Sequence, residues 1–210
     1  MINLGIKGLA KYMTSAEATR RKILHDYKHP EPEGLAQARY YAEAKALITR
    51  FVRGTLDRAE VLQEAARLQA EGSTVGRQRG TKLKCNGRAV TQYVRYFGAK
   101  EMTLLPPCKL ELVFDPVRIA ITPELHAHDG RRERLIRLEF ANDLAANGTR
   151  IIAQSIFEAA IQAEMEIPSS AVSVWRLADG TMHGGARMGS RMRKDIEAAC
   201  KNIAAIWPSI

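Results

Sequence analysis

Two glutamates and an arginine are the residues whose types and spacing come closest to a reactive site. Arg137 and Glu139 alternate along Leu135-Ile136-Arg137-Leu138-Glu139-Phe140, so both project from one side of an extended strand. Glu124 lies in the preceding extended run, within Val117-Arg118-Ile119-Ala120-Ile121-Thr122-Pro123-Glu124-Leu125. Carboxylates from neighbouring strands can hold a hard divalent ion such as Mg2+ or Mn2+, which takes oxygen ligands. Alternation also places Glu124, His126 and His128 on one face, a donor set that suits a metal. Asp129-Gly130 is turn sequence, however, and histidines entering a turn are usually polar surface. The segment Gly184-Gly185-Ala186-Arg187-Met188-Gly189-Ser190-Arg191 spaces its glycines like a phosphate loop. It lacks the lysine before the hydroxyl residue and follows no hydrophobic strand, so a nucleoside-triphosphate site is excluded. Arg187 and Arg191 still crowd a helix start, where free backbone N–H groups could seat a phosphate.

The elements that must position these side chains follow from periodicity. Through the first hundred residues, apolar positions recur at helical spacing. Thr14-Ser15-Ala16-Glu17 has capping-box form ahead of a helix reaching about Lys28. His29-Pro30-Glu31-Pro32 breaks it. Leu35, Tyr40, Ala44, Leu47, Ile48 and Phe51 mark the next helix. Asp57 and Glu60 cap another, which carries Val61, Leu62, Ala65 and Leu68 and has Gly72 as its C′ residue. The polar, glycine-containing residues 73–84 read as a loop, with Asn86 capping a helix that carries Val90, Tyr93, Val94 and Phe97. From about residue 103 the period becomes two. Extended runs cover 109–114, 117–128 and 134–140, around turns at Asp115-Pro116 and Asp129-Gly130. A helix over 149–166, a strand over 171–177 and a last helix from Ser190 complete the chain. The predicted fold class is α/β: a helical part over 1–100, then a core over 101–210 with a mixed β-sheet flanked by helices.

Helix, three strands, helix, strand is also the core order of the PD-(D/E)xK nucleases, and residues 109–207 resemble that restriction-endonuclease-like superfamily. The resemblance implies a metal-binding acid at Glu124, in place of the family's shorter Asp, and a second at Glu139. It gives Arg137 a place beside them in the catalytic centre, and it could recruit Glu43 from an upstream helix. The departure is the lysine. The family carries an acid-x-Lys triplet, and the position two residues after Glu139 is Ala141. Arginine stays protonated and cannot activate water as lysine can. The resemblance therefore implies a degenerate site that cleaves weakly or not at all, unless a lysine such as Lys109 takes over the role.

The charge points to a partner. The chain has 210 residues and a net charge of +9. Residues 1–100 hold 19 Lys/Arg against 9 Asp/Glu, while residues 101–210 hold 13 against 14. A basic half on a neutral one predicts a surface that meets a polyanion. The candidate phosphate contacts are Arg20, Arg21, Lys22, Arg77, Arg79, Lys82, Lys84 and Arg88, with Arg187 and Arg191 further on. No apolar run reaches the roughly 18 residues of a membrane span. Three widely spaced cysteines and a lysine-interrupted start predict a reducing, cytoplasmic setting. The leading expectation is a nucleic-acid-binding protein, on DNA or RNA, with an inactive nuclease-like core. The alternatives are an active metal-dependent nuclease using Glu124 and Glu139, and a non-enzymatic interaction subunit of a protein complex.

Overall fold

The computed structural model of the chain describes residues 1–30 and 40–210. The chain is α/β, with a largely helical N-terminal part ahead of mixed β-structure flanked by helices. The strands are β1 (Ile2–Gly5), β2 (Thr103–Leu104), β3 (Leu110–Phe114), β4 (Val117–Ile121), β5 (Leu125–His128), β6 (Glu133–Glu139), β7 (Val172–Arg176) and β8 (Met182–Gly184). The helices are α1 (Ile6–Thr14), α2 (Glu17–Lys28), α3 (Ala42–Val52), α4 (Arg58–Thr74), α5 (Arg77–Phe97), α6 (Ala146–Gln162) and α7 (Ser190–Ile206).

The strands form two sheets rather than the one expected, in the orders β1-β4-β3 and β2-β5-β6-β7-β8. The reason lies at Pro123. The run read as one strand over 117–128 breaks at Thr122-Pro123-Glu124, because proline has no N–H for a ladder. The chain leaves the smaller sheet after Ile121 and enters the larger one at Leu125. β1 was not anticipated, since four residues are too short for a periodic signal. It pairs in parallel with β4, Ile2 opposite Val117 and Gly5 opposite Ala120. The parallel pairing of β6 with β7 across α6 is as the crossover helix required.

The larger sheet separates two hydrophobic clusters, and strand alternation assigns its residues between them. Leu135, Val172 and Val174 face a cluster shared with α1, α2, α6, α7 and the smaller sheet. Ile136, Leu138, Trp175 and Leu177 face the other, built on α3, α4 and α5. Phe97 stacks on Trp175 there at a centroid distance of 4.5 Å. Both clusters draw residues from before and after residue 100.

The helical part differs from expectation in its glycines and caps. Residues 77–84 are the first turns of α5, not loop, and Gly72 lies inside α4. These glycines lie where the two helices touch. A Cβ on Gly80 would come within 2.4 Å of the Gly72 carbonyl oxygen, and one on Gly87 within 2.4 Å of that of Ala65. The Asp57/Glu60 capping box forms as expected. The one at Thr14–Glu17 does not: the Thr14 hydroxyl donates back to the Ala10 carbonyl, and Ala16 caps α2 without a side-chain bond. Leu35, assigned to the second helix, lies outside the described residues.

Asn86 caps a helix, but not its own. It is buried in the middle of α5, where its Oδ1 accepts the Ala44 N–H in the first turn of α3 at 2.8 Å. Its Nδ2 donates to the carbonyls of Tyr40 and Lys82. Asn86→Leu leaves the Ala44 N–H and the Tyr40 carbonyl without this partner, while the Lys82 carbonyl keeps its helical bond; a buried group left unpaired costs about 1–3 kcal/mol. Urea unfolding should show that loss, while Gln78→Leu at an exposed site of the same helix should change little.

Candidate functional site

The break at Pro123 sets the site. β5 pairs with β6 only as far as Leu125 opposite Ile136, so β6 continues past its neighbour through Arg137, Leu138 and Glu139. Glu124 fills the missing place: its Oε2 accepts the Leu138 N–H at 2.9 Å. The same carboxylate takes Lys45 Nζ at 3.0 Å and Arg137 at 3.2 Å through Oε1. The Arg137 guanidinium also donates to the Thr122 carbonyl. Its Nε points toward Glu139 Oε1 at 3.6 Å, beyond hydrogen-bond range, so both atoms are buried without a partner. Glu139 Oε2 accepts from Lys7 at 2.8 Å. Lys7 also reaches Asp143 at 2.9 Å, and Lys11 reaches Asp143 at 2.6 Å.

Glu124, Arg137 and Glu139 are therefore brought together as the sequence proposed. Arg137 stands between the acids, and the side chains of Glu124 and Glu139 are only 7% and 3% exposed. Three carboxylates, counting Asp143, meet four cations: Lys7, Lys11, Lys45 and Arg137. Lys7, Lys45, Glu124, Arg137 and Glu139 line a cleft of about 390 Å³ between α1, α3 and β6, walled in part by Tyr27 and Tyr41. Among the described residues, no three His, Cys, Asp or Glu side chains are grouped to hold a metal ion. A divalent ion between Glu124 and Glu139 would meet the cations already there, so the donor set does not suit Mg2+ or Mn2+ while Arg137 is in place.

Lys7, Lys11, Lys45 and Asp143 were missed in the sequence. Lys7 lies in the first turn of α1, directly after β1, so unanticipated pairing of β1 with β4 is what carries it to Glu139. Lys109, the expected substitute, is exposed just before β3, on the far side of β4 from β1. Glu43 turns to α5 and pairs with Lys82 at 3.0 Å; Lys45, two residues on, is the α3 side chain that enters the cleft. The His126/His128 set does not form either. His126 lies between the Pro106 carbonyl and Glu133, and His128 accepts the Gly130 N–H.

Burial works to lower the Lys7 ammonium, but Glu139 and then Asp143 hold it above the usual lysine value of 10.5. Burial works to raise Asp143, but Lys11 and Lys7 outweigh it and hold the carboxyl below its usual 3.8. The Lys7 contribution to stability is thus present at neutral pH and lost only as pH rises through its raised value. The Asp143 contribution is lost only as pH falls through its lowered one, so Lys7 and Asp143 stay charged across the neutral range. Burial also raises the Tyr27 hydroxyl, against the opposing pull of the Gly5 backbone, Arg137 and Lys7.

The predicted phosphate contacts do not share one surface. Arg77, Arg79, Lys82, Lys84 and Arg88 lie on α5, on one side of the larger sheet. Arg20, Arg21 and Lys22 on α2, and Arg191 at the start of α7 with Arg187 in the segment before it, are on elements that pack on the other side. Arg20 is engaged within the fold, donating to the Tyr12 carbonyl and lying over the Tyr12 ring. Gly189 is the N-cap of α7, with no side-chain cap bond. No described helix is long and apolar enough to cross a membrane. No protein-family model matches this chain, and no curated protein matches it in sequence.

Proposed function

We propose that this chain binds the phosphate backbone of nucleic acid and carries a nuclease-like centre that does not cut. The observation behind the second half is the position of Arg137. Its guanidinium reaches Glu124 at 3.2 Å and faces Glu139 at 3.6 Å, where the resemblance would put a divalent ion. A fixed organic cation neutralises the acids but supplies neither a bound water nor an open coordination position, the two things a metal brings to phosphodiester hydrolysis. The first half rests on charge: α5 has six Lys/Arg and no Asp/Glu over Arg77–Phe97.

Lys7 favours a second reading, in which the chain is an active metal-dependent nuclease. Its Nζ at 2.8 Å from Glu139 gives the acidic pair the lysine that β6 lacks, from a different element. One comparison separates the two readings. Labelled DNA and RNA are incubated with the wild type and with Glu124→Ala/Glu139→Ala, with Mg2+, with Mn2+ and with EDTA. The expected result is binding that survives EDTA and no metal-dependent product above the double variant. Multiple-turnover cleavage by the wild type, lost in the double variant, would overturn the non-cutting reading in favour of the nuclease.

A further inference from the structure

We infer that one face of α5 is a docking ridge for double-stranded nucleic acid, formed by Arg77, Lys84, Arg88 and Arg95; this rests on the nucleic-acid reading above. The four residues are 7, 4 and 7 positions apart in the sequence. At about 100° and 1.5 Å per residue they fall within an arc of about 40° and along about 27 Å of helix. All four side chains are exposed, and none has a carboxylate partner within 4.0 Å among the described residues. Exposed Thr81 and Thr91 lie in the same strip between them.

The other two cations of α5 are differently placed. Arg79 is paired with Glu71 at 3.0 Å and Lys82 with Glu43 at 3.0 Å. The helix thus sorts its six positive charges into two neutralised within the fold and four in line facing outward. The arrangement works against the helix itself. Arg77 and Arg79 lie in the first turn, which has no acidic residue and no side-chain cap. Positive charge there opposes the helix dipole. A polyanion laid along the ridge would relieve both that penalty and the repulsion along the row.

The ridge favours a duplex over a single strand for a stated reason. Single strands are held by aromatic platforms set among the cations, on which bases stack. From Arg77 to Thr91 the strip has no aromatic residue; Tyr93 is buried against Trp175, and exposed Tyr96 lies at the far end, about 100° round the helix from the row, with the Arg95 guanidinium over its ring. A straight, stiff row of guanidinium and ammonium groups, with one ring at its end rather than rings interleaved along it, matches a rigid backbone of regularly spaced phosphates. It contacts phosphates and reads no bases.

The test is fluorescence anisotropy with duplex and single-stranded probes of equal length, from low to moderate salt. Three proteins are compared: wild type; Arg77→Gln/Lys84→Gln/Arg88→Gln/Arg95→Gln; and Arg79→Gln/Lys82→Gln. Thermal melts confirm that each is folded. On duplex, the fourfold variant should flatten the slope of log affinity against log salt by about 3–4, at roughly 0.9 for each phosphate that is no longer neutralised. The paired-cation variant should change it by less than about 1. Equal losses in both variants, with wild-type binding intact, overturn the ridge but leave nucleic-acid binding standing. Tighter wild-type binding to the single strand overturns the choice of duplex. No binding by the wild type to either probe overturns the ridge together with the reading on which it rests.

Discussion

Arg137→Met should destabilise the fold by about 2–4 kcal/mol, although it exchanges a charge for an apolar side chain of similar reach. Breaking a fully buried pair by removing one partner typically costs about 3–5 kcal/mol, because the charge left behind has no compensation. The lower range applies here because Arg137 is 18% exposed and Lys7 and Lys45 remain beside the acids. Glu124→Gln/Arg137→Met/Glu139→Gln, which removes the uncompensated charges as well, should recover much of the loss. Urea unfolding of the two variants and the wild type measures both steps. If Arg137→Met alone is as stable as the wild type, the guanidinium is not what neutralises the pair.

The second large effect concerns the seam between α4 and α5. Gly87→Val places a Cβ where the Ala65 carbonyl oxygen would be 2.4 Å away, and Gly80→Val does the same against Gly72. In each case the obstacle is backbone, which cannot rotate aside like the end of a flexible side chain. Overpacking typically costs about 1–3 kcal/mol, and rigid backbone puts each variant at the upper end. The two sites share one seam, so their losses should not simply add. The double variant is expected to lose a large part of a domain stability of about 5–15 kcal/mol. Gly184→Ala is the control, since nothing lies within 4 Å of a Cβ there. Circular-dichroism melts should show a steep fall for Gly80→Val/Gly87→Val and little change for the control. A mild fall for the double variant would mean that the helices can separate at little cost.

What was legible in the sequence was whatever repeats over several residues or recurs at a turn. The change of period near residue 103, the crossover through α6, the Asp57/Glu60 cap and the turn at Asp129-Gly130 were of this kind. Glu124, Arg137 and Glu139 could be brought together because two of them share a strand and the third lies on the run before it. Residues whose role is set by a partner far along the chain were not legible. Lys7 matters because Ile2–Gly5 pairs with a strand more than a hundred residues later, and Lys45 because α3 crosses that junction. Gly72, Gly80 and Asn86 were misassigned for the same reason. Glycine and asparagine signal turns and caps locally, whereas here they serve close helix contact and the capping of a different helix.

Glu124 has a further consequence, in time rather than space. Most strand amides are shielded by the carbonyl of a neighbouring strand, and their protons exchange with solvent only when that stretch of sheet opens. The Leu138 amide is shielded by the Glu124 carboxylate, held at 2.9 Å. A side chain swings away by rotating about its own bonds, with no strand displaced. Deuterium uptake at this one amide therefore clocks the movement of a glutamate, while the amides on either side of it clock the sheet.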